Sequence, residues 1–154
     1  MDPGRSRCGR RPLSSVVDAS LLSRGIVPSQ LLPEARMTLD QLLESRTRLI
    51  APVIVEAEFA SALHRLVARG RLSRAARDDS WSEFEELSIE YLWHPSWVRR
   101  AMEIAEAAGL SRIYDAIYLA CAEAFGFELV TCDGRFARAA GHLSTAPIRL
   151  IAPA

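Results

Sequence analysis

The segment from Ser111 to Asp133, SRIYDAIYLACAEAFGFELVTCD, limits the possible folds more than any other stretch of the chain. Ile113, Ile117, Ala120, Cys121 and Ala124 recur at helical spacing, and Tyr114, Tyr118, Ala122 and Phe125 form a second apolar stripe. A helix apolar on nearly every side belongs inside a domain. Ser111 is its expected N-cap, and Gly126 its expected stop, since glycine tolerates the positive φ at which helices close. A short strand follows, with Asp133 at its end. One charge, Asp115, interrupts the apolar surface of the first helical turn. A buried carboxylate costs several kcal/mol unless it is paired or bound to a metal, so Asp115 is the first candidate for chemistry.

The flanking sequence supplies the partners that such a helix needs. Ser14–Asp18 (SSVVD) reads as a strand ending in an acid, with Ala19 and Ser20 opening the next turn. Pro28–Ser45 carries Leu31, Leu32, Ala35, Leu39, Leu42 and Leu43 at the spacing of one core-facing helix. Leu49–Ala51 is a second strand, closed by Pro52. Val53–Arg69 reads as a helix whose stripe includes Val55, Phe59 and Leu63. Glu56 and Glu58 flank that stripe on opposite sides, and periodicity does not decide which faces inward. Ser73 caps a further helix through Leu87, and Ile89–Trp93 is a β-type run. Pro95 opens a helix that Gly109 stops, Arg135–Ala140 is a short helix, and Pro147–Ile151 is the last strand. Five short strands alternating with helices imply an α/β domain whose parallel sheet is covered on both faces. The Arg-rich residues 1–12 are expected to be a flexible arm, and residues 13–154 a single domain.

Ligands of parallel sheets sit at the carboxyl ends of the strands, near the point where strand order reverses. Asp18 and Asp133 each end a strand, and Asp115 begins the helix leading into the strand of Asp133. All three therefore converge on one sheet edge. Gathered carboxylates repel one another and call for a cation, and oxygen ligation suits Mg²⁺ or Mn²⁺. Such a centre is fitted to phosphodiester hydrolysis. The plainer alternative is that each Asp only caps a helix or turn.

Composition removes several competitors. All 19 basic residues are Arg, which excludes a P-loop and the phosphate-holding Lys of a receiver domain. A haloacid-type phosphatase needs an Asp where Ser20 stands. A non-catalytic or phosphate-handling regulatory module remains the alternative class, but it gives no reason for convergent acids. The formal net charge of zero adds no general attraction to nucleic acid. No apolar run approaches the ~20 residues of a membrane span, and the basic N-terminal segment is not a signal peptide. Cys8, Cys121 and Cys132 are odd in number and lack CxxC spacing, as expected of reduced cysteines in a cytoplasm. His64, His94 and His142 lack ligand spacing. Trp81, Trp93 and Trp97 suit a core or, if exposed together, a partner groove. The arginines from Arg65 to Arg77 suit a solvated face or a phosphate-contacting rim.

VVDAS at Val16–Ser20, APVIVEAEFASAL at Ala51–Leu63 and YDAIYLACAEAFGFELVTCD at Tyr114–Asp133 resemble the PIN-domain ribonucleases, and among these the VapC toxins of toxin–antitoxin pairs. The resemblance runs from about Val16 to Ile151. It implies a three-layer α/β sandwich around a parallel sheet of roughly five strands. It also implies a Mg²⁺- or Mn²⁺-dependent endoribonuclease whose metal is held by Asp18, Glu58, Asp115 and Asp133. The family pattern selects Glu58 over Glu56, because its Glu precedes a small-residue run such as Phe59–Leu63. Ser20 matches a supporting hydroxyl, placed to contact the first Asp or a bound water. The implied partners are an RNA substrate and a cognate antitoxin, in a homodimer or a toxin–antitoxin hetero-oligomer. A stand-alone RNA-processing PIN nuclease is the nearest variant of this reading. The arm lies outside the family pattern.

Overall fold

The computed structural model describes residues 13–154; the expected arm, residues 1–12, lies outside the described residues. Five strands build one parallel sheet: β1 (Ser14–Val17), β2 (Arg48–Pro52), β3 (Glu90–Leu92), β4 (Glu128–Thr131) and β5 (Ile148–Leu150). Their spatial order is β3-β2-β1-β4-β5, with Val16 beside Ile50 of β2 and Leu129 of β4. The chain builds outward from β1 through β2 to β3, then crosses over and builds the other way through β4 to β5. The reversal lies between β1 and β4. Val16, Val17, Ile50, Ala51, Leu129 and Val130 are all at most 1% exposed, as continuous apolar strands covered on both faces require.

Among the described residues seven helices cover the sheet: α1 (Ala19–Ile26), α2 (Pro33–Glu44), α3 (Ile54–Ala68), α4 (Arg74–Glu86), α5 (Pro95–Ala107), α6 (Tyr114–Phe125) and α7 (Gly134–Ala140). The helix that the sequence singled out, α6, packs on β1, β2 and β4, with α5 laid against it. Seven successive residues, Ala116 to Ala122, are buried. Each large side chain among them contributes roughly 1.5–3 kcal/mol of transfer free energy. Helices α1 to α4 pack among themselves, with α1 on β4 and α3 on β2. Phe59 of α3 stacks on Phe84 of α4 at 4.8 Å, and Trp81 closes the trio at 5.1 Å from Phe84.

Four details depart from the sequence reading. The Pro28–Ser45 helix is broken: Pro28–Gln30 is one 3-10 turn, and α2 starts only at Pro33. A proline at 33 lacks the amide that a continuing helix needs and drives Leu32 to extended backbone, φ −114° and ψ 116°. Ser111 is not the cap of α6; Ile113 holds that position with no side-chain bond. The second stripe of α6 is not wholly buried, since Tyr114 is 51% and Phe125 46% exposed. The tryptophans also divide. Trp97 is buried and Trp81 packs on the core, leaving only Trp93 exposed.

Candidate active site

β1 ends at Val17, and Asp18 turns the chain into α1 as its N-cap. Its carboxylate is 2% exposed and is tied down on both oxygens. Ser20 Oγ donates to Oδ1 at 2.7 Å and the Leu21 amide donates to the same atom at 2.9 Å, while Thr131 Oγ1 donates to Oδ2. Thr131 ends β4, so this last bond crosses the sheet at the switch point. The Cys132 amide donates to Ser20 Oγ at 2.9 Å and the Asp133 amide to Thr131 Oγ1 at 3.0 Å, which locks the two strand ends together. Asp133 in turn caps α7 through Phe136 N–H at 2.9 Å.

The other two acids arrive on helices. Glu58, one turn into α3, is half-buried and accepts the hydroxyl of Tyr118 on α6. Glu56 is exposed and lies beside Tyr91 of β3. Packing therefore decides the register that periodicity left open: Glu58 faces in. Asp115 lies in the first turn of α6 and lines one depression together with Asp133. The free amides of that turn favour a negative charge there.

Electrostatics join the four acids into one centre. Burial is the main cause that raises Asp18, with the Asp133 charge adding to it against the three bonds that favour the ionised form. Desolvation also raises Glu58, which feels Asp18 and is relieved by the Tyr118 bond and by Arg65. Asp115 is pushed up to about 6, first by desolvation and then by Asp18, Asp133 and Glu58. Burial and Glu58 together push the Tyr118 hydroxyl far above its usual range, so it stays a donor.

An oxygen-only donor set of this charge suits Mg²⁺ or Mn²⁺ rather than Zn²⁺. Among the described residues no three His, Cys, Asp or Glu side chains are arranged to hold a metal ion directly. Lone pairs remain, however. The bonds on Asp18 engage three of its four acceptor positions, and Asp133 and Glu58 are each engaged at one oxygen. Magnesium keeps several waters and needs few protein ligands, so the fit is to a partly hydrated ion. A larger depression of about 470 Å³ lies at the opposite sheet edge. Its acid, Glu128, already accepts from Ser15 Oγ at 2.8 Å and lies 4.0 Å from the Arg149 guanidinium.

Thr131 and Tyr118 escaped the sequence reading as site residues, because both look like core. One signal was available: a buried tyrosine hydroxyl needs a partner, and Tyr118 lies one turn after Asp115 on the same helix face. Cys132 is half-buried, and burial pushes its thiol up to about 12, which makes it no nucleophile.

An all-parallel α/β domain with a carboxylate centre at its switch point is the class that fold and site define. The chain belongs to the PIN domain family, whose model matches residues 15–142. Ribonuclease VapC3 of Mycobacterium tuberculosis is 33% identical over 100 residues, which cover 62% of this chain and 67% of that protein. Among solved structures, VapBC2 from Rickettsia felis, bound to a DNA fragment from its promoter, has a TM-score of 0.63 at 16% identity, covering 91% of this chain and 100% of that one. VapBC-5 from Mycobacterium tuberculosis, a member of the VapBC family of toxin-antitoxin systems, has a TM-score of 0.54 at 19% identity, covering 91% and 98%. At these identities the two structures speak for the fold.

Proposed function

We propose that this chain is a Mg²⁺- or Mn²⁺-dependent endoribonuclease and the toxin of a toxin–antitoxin pair, with Asp18, Glu58, Asp115 and Asp133 as its metal-holding acids. The observation that carries the reading is the gathering of four carboxylates at the sheet's switch point, where desolvation first and the neighbouring acids next raise Asp115 to about 6. Carboxylates that only capped helices would have no reason to face one another. The ribonuclease name of VapC3 and the toxin–antitoxin membership of VapBC-5 support the same activity and partner.

A divalent ion at such a centre supplies activation of the attacking water and stabilises charge on the departing oxygen. The chain's own residues keep the acids in place for it. Ser20, Thr131 and the Leu21 amide fix the orientation of Asp18. Tyr118 holds Glu58 toward the centre, and Asp133 is aimed by the start of α7.

The test is cleavage of RNA by the purified full chain. Cutting is expected with Mg²⁺ or Mn²⁺ and should stop in EDTA; cutting that persists in EDTA overturns the metal reading. Expressed alone, the chain should be poorly tolerated. Co-expressed with the product of an adjacent small reading frame, it should be silenced and co-purify. A harmless monomer with no such neighbour would point to stand-alone RNA processing.

A further inference from the structure

Three surface depressions run into one another across the acidic centre. The first, of about 380 Å³, is lined by Glu58, Arg65, Arg112 and Tyr114. It shares Arg112 with a second, lined also by Asp115, Asp133 and Arg135. That one shares Asp133 and Arg135 with a third, again of about 380 Å³, where Arg24 and Arg138 join them. Three of the four acids, Glu58, Asp115 and Asp133, thus line a trough with arginines at both ends. Resting on the ribonuclease reading above, we propose that a single RNA strand lies along this trough, with phosphates held by Arg65 and Arg112 on one side of the scissile bond and by Arg24, Arg135 and Arg138 on the other, and with one base stacked on Tyr114.

Four observations support it. Arg36, Arg48, Arg77, Arg100 and Arg149 are engaged in ion pairs, whereas none of the five trough arginines pairs with another described residue. Their forks are open to phosphate oxygens, which they match in geometry. Arg65 and Arg112 reach the centre, since both line the first depression with Glu58, and Arg112 also lines the second with Asp115. Arg138 folds back over the start of α7, where a side chain at Gly134 would meet its guanidinium at 3.0 Å. Tyr114 is 51% exposed at the mouth of the first depression, a position of little use to the core.

The physical need is plain. Four acids repel a polyanion, so a strand that crosses them must be held by cations on both sides. A base reaches an aromatic face only when it is unpaired, which selects a single strand or a loop over a duplex. Holding on both sides also makes the cut internal.

The experiment measures binding of a labelled single-stranded RNA oligonucleotide to the full chain in EDTA, by fluorescence anisotropy across a salt series. Binding is thereby read separately from hydrolysis. Removing one arginine from a phosphate of a single strand should flatten the slope of log K against log salt by about 0.7. Arg65→Ala with Arg112→Ala should flatten it by about 1.4, and Arg24→Ala with Arg135→Ala and Arg138→Ala by about 2. Tyr114→Ala should lose about tenfold in affinity with the slope unchanged, and Tyr114→Phe should restore it. Arg46→Ala with Arg99→Ala, outside the trough, should change neither quantity. All these side chains are exposed, so folding is checked by an unchanged melting curve. If the wild type cuts RNA but both arginine sets keep its slope, the trough is overturned and its arginines serve a protein partner instead, while the ribonuclease reading stands. If the wild type neither binds nor cuts RNA, both fall.

Discussion

Glu56 and Glu58 differ by two positions on one helix, yet one is exposed and the other accepts a hydrogen bond from buried Tyr118. Glu58→Gln should therefore abolish cleavage, and Glu56→Gln should leave most of it; the reverse result would displace Glu58 from the site. Asp115 bears on stability as well. Its carboxyl is raised to about 6 in the fold and lies near 3.9 in an unfolded chain. The folded state therefore binds more protons between those values, and metal-free stability falls as pH rises from about 4 to about 6. The lowered carboxyls of Glu34 and Glu123 act oppositely, but their contribution is already complete above the ordinary carboxylate range. Melting temperatures in EDTA should thus decline across pH 4.5–7 in the wild type and decline less in Asp115→Asn. Equal slopes would show that Asp115 ionises without hindrance.

At the scale of elements, the caps decide where helices start and stop, and through them where the acids point. Asp18 and Asp133 both cap helices through an amide three residues on, so the same side chains aim α1 and α7 and belong to the proposed site. Gly126 closes α6 at φ 68°, with open space around it. Gly126→Ala meets no clash but adopts left-handed backbone, which costs about 1 kcal/mol. Its thermal unfolding should shift down by a few degrees with cleavage per folded molecule unchanged. Ser73 caps α4 through the Ala76 amide at 3.1 Å, and Ser73→Ala should cost about 1 kcal/mol in the same assay. An undiminished melting temperature in both variants would show that neither helix end helps to hold the fold.

Across the whole molecule, the switch point brings side chains from four separate elements to one edge and accepts their repulsion. A site maintained for binding should weaken the metal-free fold and strengthen the loaded one. Asp133→Asn is the cleanest probe, because asparagine also caps helices and the Phe136 amide keeps its partner. It should raise the melting temperature in EDTA. Mn²⁺ at a hundredfold excess over Kd should add about 2.7 kcal/mol to the wild type and little to the variant. Lower stability in EDTA with the Mn²⁺ increment intact would reduce Asp133 to a structural cap.

The local pattern alone determined much of this protein. Strand and helix alternation, the buried character of α6 and the Gly126 stop are all short-range properties of apolar spacing and backbone freedom, and so is Asp18 at a strand end. Boundaries were less legible, as Pro33 and Ser111 show, because competing local signals lie within two or three residues of one another. Tertiary structure alone decided which face of α3 turns inward, since the helical period places Glu56 and Glu58 on equivalent flanks and only packing against α6 separates them. It also decided that Thr131 and Tyr118 serve the acids. Their hydroxyls find Asp18, 113 residues away in the chain, and Glu58, 60 residues away. No periodicity reports a partner that distant; the strand order brings them together.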